Sequence, residues 1–173
     1  MKTLETDRLT IRRMSVDDAP FMLRLLNEPS WLRFIGDRGV RTLAEARRYI
    51  ETGPVDSYAR LGFGFCLVEL REDPDRGVPI GICGLAKRDY LDDVDIGYAL
   101  LPQHEGRGYA VEAARAVLAH ARAELGLARI VATTRPANAG SQKVLDRLGL
   151  RFERAIRHPD DGRELLLYAT GKA

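Results

Sequence analysis

Gln103-His104-Glu105-Gly106-Arg107-Gly108-Tyr109-Ala110 is the stretch on which the reading of the chain turns. A strand-like run, Val94 to Leu101, leads into it and ends at Pro102. A long helical pattern leaves it, with Ala110, Ala113, Ala114, Val117, Leu118, Ala121 and Leu125 on one face. Strand, glycine turn and helix N-terminus together make an anion site. The first N–H groups and the positive end of the dipole point outward, and glycines let a phosphate approach the backbone. Ordinary helix-start turns also contain Gly-x-Gly, so the spacing has to narrow the choice. A dinucleotide fold wants G-x-G-x-x-G near the start of its domain and an acidic residue about 20 residues on. Here Val111 takes the third glycine's place and the turn lies past mid-chain. A Walker A loop needs Gly-Lys-Ser/Thr, which is absent.

Downstream, Gly126 caps the long helix and 128–133 reads as a strand, so strand, turn, helix and strand form a crossover with parallel neighbours. Pro136 to Ser141 opens a short helix with Val144, Leu145 and Leu148 inward and Gly149 as its cap. Leu150 to Ala155 and Glu164 to Ala169 close the chain as strands across Asp160-Asp161-Gly162. Upstream, 9–12 alternates as a first strand, and Ser15 to Asp18 offers a capping box, with the helix beginning nearer Asp18 because of Pro20. Asn27-Glu28-Pro29 should stop that helix, leaving 30–41 irregular. Thr42-x-x-Glu45 starts a second helix and Gly53 should end it. Phe63 to Leu70 and Ile80 to Ala86 read as an antiparallel pair across the loop from Glu72 to Gly77. Without repeat, low-complexity tract or linker, the pattern predicts a single domain over residues 1–173, mixed α/β and mostly antiparallel at its ends.

Composition excludes several classes. At 173 residues, 45% apolar and 30% charged, the chain fits one domain with a sizeable core. A net charge of +2, with basic and acidic residues interleaved, argues against nucleic acid as a partner. No stretch approaches 18 uncharged apolar residues and the N-terminus lacks a signal-peptide core, so no membrane partner is expected. Cys66 and Cys83 lie in separate apolar runs, reading as buried free thiols in a reducing cytoplasm, and with three scattered histidines they furnish no metal set.

The opening stretch resembles the Gln/Arg-x-x-Gly-x-Gly/Ala signature of the GNAT acyltransferase superfamily, matched by Gln103, Gly106 and Gly108. Asp95-Ile96-Gly97-Tyr98 is similar to that superfamily's fourth strand, and Asn138-Ala139-Gly140-Ser141 followed by Leu148-Gly149-Leu150 to its Asn-x-x-Ser … Leu-Gly-Phe element, with Leu150 in place of phenylalanine. The two motifs stand in order, about 30 residues apart, and are far more specific together than singly. The nearest branch in character is the bacterial one that includes the ribosomal-protein N-terminal acetyltransferases. The resemblance implies a GNAT fold: a central mixed, mostly antiparallel sheet of about seven strands, flanked by four helices, with a parallel splayed pair at its fourth and fifth strands. It also implies acetyl-coenzyme A as co-substrate, with no metal.

Acetyl transfer from a thioester to an amine needs the donor anchored, the amine neutral and aligned, the developing oxyanion stabilised and the leaving thiolate protonated. By resemblance, Gln103, His104, Glu105, Gly106, Arg107, Gly108, Tyr109 and Ala110 hold the pyrophosphate. A bulge in the fourth strand would offer backbone groups of Leu100 and Leu101 to the pantetheine arm and the thioester carbonyl. Asn138 matches a pantetheine contact and also reads as a helix N-cap. Ser141 matches the residue that meets the sulfur, and also reads as a plain first-turn serine. Lys143 and Arg107 either offset phosphate charge or are solvated. Asp95 is the first choice of general base, followed by Asp93 and Tyr98; alternation puts Asp95 and Asp93 on the face opposite Tyr98. Asp89, Asp92, Asp93 and Asp95 would suit a cationic amine if they lined the entrance. Trp31 and Phe34 either rim a substrate cleft or cover the core. No cysteine adjoins either motif, so direct attack is expected over an acetyl-enzyme. The acceptor is a peptide or small-molecule amine: a protein N-terminus, a polyamine, an amino acid and an aminoglycoside all remain open, as do monomer and homodimer. The other class is a domain that binds the coenzyme only to regulate or to engage a partner.

Overall fold

The computed structural model describes residues 1–71 and 77–171. Its strands are β1 (Leu4–Glu5), β2 (Leu9–Arg13), β3 (Phe65–Leu70), β4 (Pro79–Lys87), β5 (Val94–Leu100), β6 (Ile130–Thr134), β7 (Arg151–Arg157) and β8 (Glu164–Ala169). They form one sheet in the order β1-β2-β3-β4-β5-β6-β8-β7. Every pair is antiparallel except β5 with β6. Each strand expected from alternation is present to within two residues, and β1 adds a two-residue eighth, too short for a period to show. β3 and β4 pair as expected, while Glu72 to Arg76 of their connecting loop lie outside the described residues.

The helices are α1 (Ala19–Leu26), α2 (Pro29–Phe34), α3 (Leu43–Ile50), α4 (Asp56–Leu61), α5 (Tyr109–Ala123) and α6 (Ala139–Arg147). Two of them correct the reading of the sequence. Pro29 does not only end α1; it opens α2 as the first helical residue, where a missing N–H costs nothing. Gly53 does not end α3. The chain widens into a π turn over Glu51–Val55, which takes in Pro54, and runs on as α4 to Gly62, where φ is +77°. Tyr58 fixes that continuation: its buried hydroxyl donates to the Phe65 carbonyl and accepts from Met14 N–H at 3.1 Å. Both capping boxes form, with Thr42 Oγ1 accepting from Glu45 N–H at 3.2 Å and Ser15 N–H donating to Asp18 at 2.9 Å.

Two apolar layers sandwich the sheet. On one face Ala113, Ala114, Val117 and Ala121 of α5 and Leu145 of α6 pack with Cys83, Leu85 and Ile96. On the other, Met22, Leu25 and Leu26 of α1 and Ala46 and Ile50 of α3 pack with Leu67 and Ile82. Each fully buried leucine or isoleucine there contributes about 1.5–3 kcal/mol of transfer free energy. The glycine of Asp95-Ile96-Gly97-Tyr98 makes room for an aromatic ring. A Cβ at Gly97 would lie 2.9 Å from the Phe65 ring.

β5 and β6 touch only at Val94↔Ile130 and Asp95↔Val131 and then part, while β6 goes on pairing with β8 from Val131↔Ala169 to Thr134↔Leu166. The expected bulge in β5 is not what opens this gap. The β4–β5 register runs from Gly81↔Leu100 to Lys87↔Val94 without a shift.

Candidate active site

The open end of the gap leads to the glycine turn. Pro102–His104 form a single 3-10 turn, after which Gly106 and Gly108 take φ of +72° and +83°. A side chain in that left-handed region costs about 1–2 kcal/mol, and nothing lies within 4 Å of where a Gly106 Cβ would stand. Gly108 is the N-cap of α5, and no side chain caps the helix. The first N–H groups, from Gly108 to Val111, therefore have no partner within the helix, and the dipole of fifteen residues favours negative charge in front of them. Gln103, Glu105, Arg107 and Lys143 are exposed, and neither Arg107 nor Lys143 makes an ion pair among the described residues. His104 is half-buried with its ring 6.4 Å from that of Tyr109.

A strut that the sequence did not advertise fixes this turn. Glu112, in the first turn of α5, accepts from Thr6 Oγ1 at 2.6 Å, Arg8 N–H at 2.9 Å and Arg8 Nε at 2.7 Å. The same guanidinium donates to the Arg107 carbonyl at 3.0 Å and lies 4.5 Å above the Tyr109 ring. Burial pushes the Glu112 carboxyl up, but the hydrogen bonds of Thr6 and Arg8 and the charge of Arg8 outweigh it, leaving it below its ordinary value. Such a group lends stability that is full above the unfolded value, 4.5, and is lost as pH falls through the folded one. Glu112→Gln is therefore expected to lower Tm at pH 7 by about 2–4 °C, the equivalent of about 1 kcal/mol. The deficit should close as pH falls below about 4, and a Tm series against pH checks it.

Within the gap, Leu101 gives its N–H to the Ile80 carbonyl at 2.8 Å, and its own carbonyl accepts from His104 N–H at 2.9 Å. Its N–H is taken up by the sheet, its carbonyl already accepts one hydrogen bond and its side chain is buried, so of the expected Leu101 groups the N–H is not offered to a ligand. Antiparallel alternation then turns the backbone groups of Leu100 away from β4, into the gap. Tyr98, two residues back, reaches across to α6. Its hydroxyl lies 3.0 Å from Ser141 Oγ and 3.2 Å from the Ser141 carbonyl. Burial pushes the Tyr98 hydroxyl far above its ordinary value, so it serves as a hydrogen-bond donor and not as a base. Asn138 is the N-cap of α6, its Oδ1 accepting from Ser141 N–H at 3.1 Å, which holds the serine at the gap.

Asp95 stands at the point where the strands part, on the face opposite Tyr98. It is 4% exposed and pairs with Arg88 at 3.4 Å. Burial raises its carboxyl and the Arg88 charge opposes this. Asp93 is not free: Arg129 holds it at 2.9 Å and bridges at 2.7 Å to Glu153. Asp95 and Asp93 are thus tied to arginines, while Asp89 and Asp92 are exposed. Trp31 is 5% exposed within the α1–α3 core, and Phe34 is half-buried under the Arg33 guanidinium at 4.9 Å. Cys66 and Cys83 are free and buried, Cys66 pushed up to about 11 and Cys83 higher still by desolvation, so neither is a thiolate nucleophile. Among the described residues no His, Cys, Asp or Glu side chains gather as a metal set, and no helix is long and apolar enough to cross a membrane.

A glycine-cradled helix N-terminus at the open end of two diverging parallel strands, with hydroxyls beside the gap, defines an acyltransferase class of fold. The family model for the acetyltransferase (GNAT) domain matches residues 8–151, and the chain belongs to that family. Among its relatives, the uncharacterized N-acetyltransferase p20 of Bacillus licheniformis is 29% identical over 158 residues, covering 91% of this chain and 86% of that protein. An acetyltransferase structure from Agrobacterium tumefaciens superposes with a TM-score of 0.81 at 26% identity, covering 99% of this chain and 95% of its own. RimL, a ribosomal L7/L12 alpha-N-protein acetyltransferase solved with coenzyme A, shares the fold at a TM-score of 0.79 and 18% identity, covering 96% of each chain.

Proposed function

We propose that this chain is an acetyl-CoA-dependent N-acetyltransferase that moves an acetyl group to a primary amine by direct attack in a ternary complex. It acts as a single domain over residues 1–173, as a monomer or homodimer, on small-molecule or peptide amines and not on nucleic acid. Two free, buried thiols suit the reducing cytoplasm. The observation that carries the reading is the parting of β5 from β6, with the Tyr98 and Ser141 hydroxyls 3.0 Å apart beside the gap. A protein of the same fold, RimL, has been solved with coenzyme A.

Acetyl-CoA supplies an activated acetyl thioester. The N–H groups from Gly106 to Ala110 grip its diphosphate, with Gln103, His104 and Glu105 shaping the turn and Arg107 and Lys143 offsetting charge from solvent. Leu100 backbone groups and the Asn138 amide align the pantetheine arm. The Ser141 hydroxyl, hydrogen-bonded with the Tyr98 hydroxyl, hydrogen-bonds the leaving sulfur and passes it a proton, which solvent then restores to the serine. Asp95 takes the proton of the attacking amine, directly or through water, since burial raises its basicity.

Thiol release and mass detection with a panel of amines test the function. Coenzyme binding without turnover of any amine would instead favour a regulatory, coenzyme-binding module. Asp95→Asn is expected to lower kcat/KM at pH 7 by about 100-fold, with a smaller loss near pH 9.5, where a lysine-like amine sheds its proton more readily unaided. Parallel wild-type and variant pH profiles would remove Asp95 from proton abstraction.

A further inference from the structure

A cavity of about 630 Å³, within the size range of small-molecule sites, adjoins the glycine turn. Gly108 is part of its lining, so it is continuous with the N–H groups assigned to the diphosphate. Three elements share it: the first two turns of α5, the last residue of α6, Arg147, and the connection from β1 to β2. Val111, 8% exposed, and Ala116 give it an apolar part.

The charges in this lining are of two kinds. Arg8 and Glu112 are spent on each other, at 2.7 Å. Arg115 and Arg147 face no acid. Arg115 gives Nη2 to the Arg147 carbonyl at 3.2 Å, and its Nε and Nη1 have no acceptor among the described residues. The Arg147 guanidinium, exposed, has neither hydrogen bond nor ion pair among the described residues. Arg115 already serves the end of α6, so the Arg147 charge is free for a ligand. Asp7, also exposed, is the single unpaired acid in the lining among the described residues. Two unpaired guanidiniums against one carboxylate, beside the positive end of α5, leave the cavity favouring an anion. Guanidinium forks match phosphate oxygens. Arg115 stands seven residues beyond Gly108, about 10 Å along the helix axis. A ligand gripped at the turn therefore meets Arg115 with a second anionic group a short way from the first. Coenzyme A has such a group: its 3′-phosphate is one ribose away from its 5′-diphosphate.

We infer that Arg115 and Arg147 hold the 3′-phosphate of coenzyme A and so select the phosphorylated cofactor over its dephospho form. This rests on the acetyltransferase reading and adds the residues that choose the cofactor. The test measures, by calorimetry, the dissociation constants of coenzyme A and of 3′-dephospho-coenzyme A, which lacks only that phosphate. Wild type, Arg115→Gln, Arg147→Gln and the double variant are compared. Wild type should bind coenzyme A at least about 10-fold more tightly than the dephospho form, a few-fold from each exposed guanidinium. Each single variant should weaken coenzyme A by about 3–5-fold and the dephospho form by less than about twofold. In the double variant the preference should fall below about threefold. The Arg147 side chain has no hydrogen bond to lose, so Arg147→Gln decides the matter even if Arg115→Gln does not fold. Equal wild-type affinities for the two ligands overturn the assignment. So does equal weakening of both ligands in Arg147→Gln, or a preference that survives in the double variant. Each of these leaves the acetyltransferase reading standing. Absence of binding of either ligand to the wild type overturns both.

Discussion

Gly108→Val is expected to raise the dissociation constant for coenzyme A by at least about 100-fold, equivalent to about 2.7 kcal/mol. Two effects add. Gly108 sits at φ +83°, where a β-branched residue is strained by about 1–2 kcal/mol or more. Its Cβ would stand 3.4 Å from Arg8 Nη2, in ordinary contact with the strut that fixes the turn. Relief of the backbone strain moves the first N–H groups of α5 out of line with a diphosphate. The added methyls also stand where a phosphate must approach. Calorimetry with coenzyme A measures the loss, and circular dichroism shows whether the fold persists. Near wild-type affinity in a folded variant would mean that the cofactor does not use this turn.

Ser141→Ala is expected to cut kcat by about 100-fold while changing the KM for acetyl-CoA by less than about threefold. The serine backbone is held by the Asn138 cap and by Tyr98, so alanine keeps the place and loses only the hydroxyl. Tyr98→Phe should reproduce part of the loss, about 10-fold, because it leaves Ser141 Oγ in place without its hydrogen-bond partner. The two together should lose little more than Ser141→Ala alone, as expected of groups acting in one chain. Steady-state kinetics of the two single variants and the double variant decide this. Unchanged turnover in Ser141→Ala would remove the residue from the chemistry.

What the sequence disclosed was local. Gly106, Gly108, the capping boxes at Ser15 and Thr42, and the glycine caps at Gly126 and Gly149 each express a backbone requirement within a few residues. The parallel step from β5 to β6 followed from chain order, since a helix must cross between them. What stayed hidden was non-local or too short to show a period. Arg8 and Glu112 are 104 residues apart, and no pattern in either segment announces their pairing. α2 is six residues long, and α4 lies behind a Gly-Pro pair that normally ends a helix. The tie on Asp93 was equally hidden, because its arginine lies 36 residues further along.

Calorimetric titration of the wild-type protein with acetyl-CoA and with coenzyme A tests the central claim most directly. One saturable site per chain, with a dissociation constant between about 1 μM and 1 mM, is the predicted result. Folded protein that takes up neither compound would contradict it.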